Sequence, residues 1–424
     1  MSSKTGFCTI TYRFRLYCDN MQLLRETKVM YNRVLKYYYD VIRQETAIWE
    51  VPKLQMMREL ELLTVGSRGE SSDDTKYPFP FGKVPLYFRR AAINDAIRLH
   101  RSFRTGEEGG AKSTATFDAA PIYYKGMYKE FTSTSINLKL YNGAKWVWQL
   151  CEIDTCGRTM PTVEKIQSPI IVLDKDCAML HVPIKEEVED ARSAKERLAN
   201  NEKICAVYFP NSDTLATMVL LEADGTFIKS KFIGGGKELS HRKQILLDRI
   251  EKNRRSMGYG KDKWNEWEEK NGPVPREENK AIKEKIHHIT DDVAHKVSRE
   301  IIEFCKENEV SIIVVPNYKQ QLDFSKIGYV PSTKYDWIGR RIISYVKYKS
   351  FAEGIVTVTA STKNIAACCN KCGAVVKKYN KNHKPGVTFY GGKNFICPNG
   401  HQGNSYFNSA MNVAKNFLQA TKNY

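Results

Sequence analysis

The chain of 424 residues has no apolar run long enough to span a membrane. Its longest runs, such as Ile312–Val315 and Ser168–Leu173, fall far short of the roughly 18 residues a span requires, which excludes an integral membrane protein. The opening MSSKTGFCTITYRFRLY lacks the apolar core of a secretory signal, so secretion is not expected. Acid is scarce: 48 Asp and Glu stand against 66 Lys and Arg, a formal net charge of +18. A disulfide framework is also missing. The cysteines number eleven, and Cys8, Cys18, Cys151, Cys156, Cys177, Cys205 and Cys305 are scattered, which fits a reducing prokaryotic cytoplasm. Apolar content is not lacking. At 42% hydrophobic and 11% aromatic residues the chain can fill a core, and disorder as the overall state is excluded. The length allows two to four domains.

A basic soluble chain implies a polyanionic partner, most simply nucleic acid, with association to the nucleoid when bound. The first segment alternates Thr9, Tyr12, Phe14 and Leu16 as a strand does. From Asn20, a candidate N-cap, to about Glu45 the spacing of Leu23, Leu24, Met30, Val34, Tyr37, Tyr38 and Val41 predicts a helix. A second helix is expected over about 53–63 and a third over about 86–105. On the third, Ala92, Ala96, Leu99 and Phe103 share a face, while Arg90, Arg98, Arg101 and Arg104 fall opposite. With Arg89, that makes five arginines against one acid, Asp95, and points to a phosphate-binding face rather than a merely solvated one. Residues 106–200 read as short strands separated by turns such as Asn142-Gly143, the grammar of a small antiparallel barrel. In it Tyr123, Tyr124, Lys125 and Lys129 interleave rings and cations, a pattern suited either to stacking bases or to ordinary packing.

Beyond residue 200 the order changes: three strands joined by tight turns, a crossover helix, a strand, a helix and another strand, as in an RNase H-like core. Near the end, Cys369-Asn-Lys-Cys372-Gly is a cysteine knuckle, and twenty-four residues separate Cys372 from Cys397-Pro-Asn-Gly-His401. Three thiolates and one imidazole make a closed tetrahedral set suited to structural Zn²⁺. Cys368 could replace Cys369, and His383 could replace His401. Basic arms lie between the pairs at Lys377-Lys378 and Lys381–Lys384.

From Lys203 onward the sequence resembles transposon-encoded TnpB nucleases and the compact type V CRISPR effectors. The stretch NSYFNSAMNVAKNF, directly after the cysteine motif, is similar to their N-A-D-x-N-A-A-x-N-I-A segment. The resemblance implies an α+β multidomain protein. An OB-like β-barrel wedge domain would cover 1–18 and 119–200, and a helical recognition domain 19–118. A RuvC-type RNase H-fold domain would cover 201–366 and 404–424, with a zinc ribbon inserted at 367–403. It implies a guide RNA and a double-stranded DNA target with a short flanking motif as partners; some relatives also pair as homodimers.

An active RuvC domain holds two Mg²⁺ ions with three carboxylates. Here the corresponding positions read Tyr208, Pro316 and Tyr406, and a register slip of one residue recovers no acid at any of them. Asp213, Asp323 and Asp336 are the nearest acids along the chain, at unsuitable offsets. No catalytic Mg²⁺ is therefore expected. The expected activity is RNA-guided DNA binding without cleavage, acting by target occupancy as a transcriptional repressor. The alternatives are an RNA-guided endonuclease with displaced metal ligands, an adaptor recruiting a transcription or transposition partner, and an RNA-only binder.

Overall fold

The computed structural model describes residues 6–66, 74–108, 115–162, 165–174, 177–188, 190–210, 212–258, 270, 278–318, 338–379 and 392–422. The expectations at Asp323, Asp336, Lys381, His383 and Lys384, and the side chain of Arg104, lie outside the described residues. The fold is mixed α+β and divides into two units. One spans Thr9–Glu186, the other Glu187–Tyr424 with the first eight residues.

The first unit is built on a six-stranded sheet, β1 (Gly6–Tyr17), β2 (Tyr128–Lys129), β3 (Ser135–Tyr141), β4 (Trp146–Asp154), β5 (Ile170–Asp174) and β6 (Cys177–Val188). Its order is β2-β3-β4-β1-β6-β5. Strand alternation sends Ile136, Leu138 and Leu140 inward and leaves Asn137 and Lys139 on the outer face. Three helices, α1 (Met21–Gln44), α2 (Met56–Val65) and α3 (Leu86–Glu108), lie between β1 and β2 in the chain. Asn20 caps α1, its side chain accepting from the Gln22 N–H. The second helix begins at Met56, later than its apolar pattern suggested, because the Pro52 carbonyl first accepts from Gln55 and Met56 in a turn. Sheet and helices share one core, in which Phe14, Leu138 and Leu180 meet Tyr31, Val34, Phe88 and Ala92. Two polar pins fix α1, one to the segment before β2 and one to β3. Asn32 accepts from the Ala119 N–H at 2.7 Å and donates to its carbonyl at 2.9 Å, and Thr27 Oγ1 accepts from the Tyr141 N–H at 2.8 Å.

The expected small barrel takes the form of a curled sheet with two edges, β2 and β5. The segment entering β2 reaches the β5 edge, where Ile122 bridges Ile170. The Tyr123 N–H donates to Pro169 and the Ile171 N–H to Pro121. Neither proline has an N–H to return, so the pairing stops there.

The second unit holds a five-stranded sheet of β7 (Lys203–Tyr208), β8 (Ala216–Leu221), β9 (Phe227–Ile233), β10 (Val310–Pro316) and β11 (Val356–Ala360). The order is β11-β10-β7-β8-β9; β7 and β9 each run antiparallel to β8, and β10 and β11 run parallel to β7. Strands covered on both faces must be apolar throughout, and β8 is buried at every position. Helices α4 (Ala194–Ala199), α5 (Gly236–Ser256), α6 (Lys280–Glu307), α7 (Ile338–Ala352) and α8 (Ser405–Lys422) complete the unit. Residues alternate between two cores. Cys205, Val207, Ile313 and Val315 pack with Ile301 and Ile342 from α6 and α7; Ile204, Ala206, Ile312 and Val314 pack with Ala410 and Val413 from α8. Arg197 of α4, 2% exposed, donates to the carbonyls of Arg192, Asp190 and Ser311 and pairs with the Asp190 carboxylate. The partners offset the cost of burying its charge. A small three-stranded sheet, β12 (Lys377–Tyr379), β13 (Asn394–Ile396) and β14 (Gln402–Asn404), lies between β11 and α8 in the chain. Among the described residues no helix is long and apolar enough to cross a membrane.

The start of α5 depends on missing side chains. Gly235 has φ +98°, and a Cβ on Gly236 would sit 1.9 Å from the Ser212 carbonyl oxygen. Its N–H donates to Asp213 at 2.9 Å. Gly236→Ala is expected to lower unfolding free energy by about 1–3 kcal/mol, read as a shifted denaturant midpoint; an unchanged midpoint would mean that the loop yields without cost.

Candidate metal centre and nucleic-acid interface

Cys369, Cys372, Cys397 and His401 converge, with their ligand atoms all within 4.8 Å of one another. Cys369 Sγ lies 3.7 Å from His401 Nδ1, Cys397 Sγ 3.4 Å from the same nitrogen, and Cys372 Sγ 3.7 Å from Cys397 Sγ. A tetrahedral zinc ion with bonds of roughly 2.0–2.3 Å has ligand–ligand edges of about 3.6–3.8 Å. The donor set and its spacing therefore fit a metal such as zinc.

Two turns build the centre. In the first, the Gly373 N–H donates to Cys369 O and the Cys369 N–H to Ala374 O, with Gly373 at φ +76°. In the second, the Gly400 N–H donates to Cys397 O, with Gly400 at φ +78°. Glycine reaches that backbone region without a Cβ penalty. A backbone hydrogen bond at Ala374, assisted by His401 and Asn399, holds the Cys372 thiol down at about 6, which favours the thiolate a metal needs. Burial pushes Cys397 up. Cys368 is not in the cluster: it bridges Val375 instead, and its carbonyl accepts from Asn408 and Asn412.

Those two asparagines belong to a ladder that the sequence reading passed over. Asn408, Asn412 and Asn416 recur every four residues on α8, hence on one face. Asn408 accepts from the Asn370 N–H at 2.8 Å and donates to Cys368 O. Asn412 donates to Ile365 O and Cys368 O, and Asn416 to Ser361 O and Lys363 O. The repeat of asparagine every fourth residue in NSYFNSAMNVAKNF was the available signal. Asn404 caps the helix, its side chain accepting from the N–H groups of Tyr406 and Phe407.

The positions that would carry catalytic acids also meet. The β7–β10 register runs through Ala206↔Val314, and two residues further along each strand stand Tyr208 and Pro316. Burial raises the Tyr208 hydroxyl above its ordinary value; a hydrogen bond with Ser409 of α8 opposes this, and Tyr406 adds to it. Tyr318 is likewise pushed up by burial, with Tyr208 adding. Phenols held above about 10 are neutral near pH 7 and are poor ligands for a hard cation. Asp213 forms an ion pair with Lys393 at 2.6 Å.

The arginines of α3 do not form one free face. Arg89, with its side chain 13% exposed, and Arg90 both pair with Glu61 of α2. Helical phase alone did not reveal that α2 covers this side. Asp95 is not solvated but buried: it accepts from the Tyr31 hydroxyl at 2.9 Å and pairs with Arg98. The Arg98 side chain is 75% exposed and remains accessible. Arg101 lies over the Trp49 ring. Tyr123, only 1% exposed, is a core residue and cannot stack a base. The Tyr124 hydroxyl accepts from Asn94. Lys125 and Lys129 are exposed.

Lys129 belongs to a site that the alternation reading missed. Its ammonium lies 4.8 Å from the centroid of Trp148, and that of Lys139 lies 5.7 Å from the same ring. Lys139 and Trp148 are cross-strand partners on the outer face, Trp148 is 42% exposed, and Leu150 opposite Asn137 is exposed beside them. The result is an exposed aromatic plane flanked by two cations on a rigid sheet, chemistry that suits a base and its phosphates.

No curated protein matches the chain significantly. The sequence profile of the Aq_aa04 family matches residues 8–142. Among solved structures, Cas12f1 in complex with single-guide RNA and target DNA aligns over 93% of this chain and 81% of its own, at 11% identity and a TM-score of 0.51. The fold is that of a compact type V effector. Two weaker likenesses are Cas12i1 in an R-loop complex (9% identity, 95% and 70% of the two chains, TM-score 0.47) and C2c1 of Alicyclobacillus acidoterrestris with single-guide RNA (10%, 93% and 70%, 0.43).

Two outcomes test the metal centre. Wild-type protein is expected to carry one tetrahedral metal equivalent by elemental analysis, and Cys397→Ser to lose it; full retention would remove Cys397 from the ligand set. Asn412→Ala leaves two carbonyls short of a donor and is expected to cost about 1–3 kcal/mol, seen as a lower melting temperature at unchanged metal content.

Proposed function

We propose that the chain is an RNA-guided DNA-binding protein that has lost its nuclease chemistry and acts by occupying its target, as a transcriptional repressor. The observation that carries this reading is the tyrosine-filled end of β7. A two-metal nuclease needs carboxylates there, and the residues present are Tyr208, Pro316, Tyr406 and, from α8, Ser409. It is joined to a fold shared along nearly the whole chain with an effector solved on guide RNA and target DNA.

In this reading, residues 201–366 and 404–424 form a RuvC-type RNase H-fold domain, and 367–403 a zinc ribbon with Cys369, Cys372, Cys397 and His401 holding a structural Zn²⁺. The ion would fix the two turns relative to each other and take no part in chemistry, since a closed four-ligand shell leaves no position for water. Residues 1–18 and 119–200 form the wedge domain, and 19–118 the helical recognition domain. Guide RNA and double-stranded DNA with a short flanking motif are the partners. Pairing with the guide supplies sequence recognition, while the protein grips backbone and exposed bases. Arg98, Arg101, Lys125, Lys129, Lys139 and Trp148 are the groups placed to do so. Arg89 and Arg90, held by Glu61, serve to dock α2 on α3.

Protein purified from its native locus should carry one enriched RNA with a constant part and a short variable end. Absence of any enriched RNA from a folded, metal-loaded preparation overturns the guided reading. DNA matching the variable end should be bound and left intact in Mg²⁺ or Mn²⁺; cleavage overturns the loss of chemistry alone. Trp148→Ala should weaken nucleic-acid binding by about 1–3 kcal/mol. Charge reversal at Lys129 and Lys139 should flatten its salt dependence. Unchanged affinity and salt slope would remove the sheet face from the interface.

A further inference from the structure

We propose that Cys18 and Cys151 form a peroxide-oxidisable pair that closes to a disulfide within the six-stranded sheet. The register of β1 on β4 pairs Leu16 with Ile153 and Tyr17 with Glu152. One step further along the same register sets Cys18 opposite Cys151, near enough for each thiol to shift the titration of the other. Directly opposed residues of an antiparallel pair have Cα atoms about 4.5 or 5.5 Å apart, depending on the pair type. Both values fall in the window of about 4.4–6.8 Å that a disulfide spans. Both side chains are buried, so only a small oxidant reaches them readily.

The asymmetry of the pair supplies a nucleophile. The neighbouring Cys151 thiol holds the Cys18 thiol down at about 7, while the same contact and burial hold Cys151 far above the usual thiol range. Cys18 is therefore substantially thiolate near neutrality and Cys151 is the proton-bearing partner. The Cys18 thiolate attacks one peroxide oxygen and the O–O bond breaks, leaving a sulfenic acid on Cys18 and a hydroxide that becomes water. The Cys151 sulfur then attacks the Cys18 sulfur. The S–S bond forms, the S–O bond breaks, and the departing hydroxide takes the Cys151 proton as a second water. Two thiols lose two electrons, and hydrogen peroxide gains them. The crosslink encloses residues 19–150, which include all three helices of this unit and strands β2 and β3.

Reduced, metal-loaded, full-length protein would be exposed to graded hydrogen peroxide, quenched in acid, alkylated unfolded and digested without reductant. The expected product is a peptide joining Cys18 to Cys151, appearing no later than oxidation of the exposed Cys156 and Cys177. Its rate should rise about tenfold per pH unit below 7 and level off above, following the thiolate of Cys18. In Cys151→Ser, which keeps a hydrogen-bonding hydroxyl beside Cys18 but cannot close the disulfide, Cys18 should accumulate as a sulfenic acid captured by dimedone. Recovery of both cysteines as free thiols after Cys156 and Cys177 are consumed would overturn the proposal, as would Cys18 joined to any other cysteine.

Discussion

The packing of α8 on the five-stranded sheet is the constraint on which the second unit depends. One side of this helix supplies Ala410, Val413 and Ala414 to the core beneath β7 and β10. A second side carries the asparagine ladder that binds the carbonyls of residues 361–368 and the amide of Asn370. Since Cys369 and Cys372 follow directly, the helix sets the first half of the cysteine–histidine cluster against the sheet. Its first turn brings Tyr406 and Ser409 to the end of β7. One element thus orients the apolar core, half of the cysteine–histidine cluster and the tyrosine-lined end of β7 together.

Strands and helices were legible where one period dominated. The runs at β7, β8 and β10 are apolar because both faces are covered, and α1 announces itself by its spacing and by Asn20. The cysteine pairs were legible because two-residue spacing with glycine is local geometry; choosing Cys369 over Cys368 needed the fold. What the chain did not disclose was long-range. Helical phase placed the α3 arginines on one side but not Glu61, which arrives from another helix and neutralises two of them. Tyr123 and Tyr124 look alike in sequence, yet one is sealed in the core and the other partly exposed. Trp148 and Lys139 are nine residues apart in sequence and meet only across a strand pair.

The tyrosines at the end of β7 have a packing role of their own. A carboxylate trio without its cations would leave like charges crowded in a partly buried place. Neutral phenols fill that volume, bury apolar surface and form hydrogen bonds instead. With phenols rather than charges there, Tyr208 and Tyr318 pack against the two cores of the sheet.

The two prolines where the curled sheet nearly closes have a mechanical meaning. Pro121 and Pro169 accept but cannot donate, so the join between the β5 edge and the strand entering β2 rests on few bonds. By contrast, β3 and β4 are laddered over seven residue pairs and β5 and β6 over five. The join is therefore a seam held by few bonds, and it adjoins the segment that leads into β2. A sheet zipped shut all round would hold that segment rigidly. This one leaves it a seam that can yield while the remaining ladders keep their register.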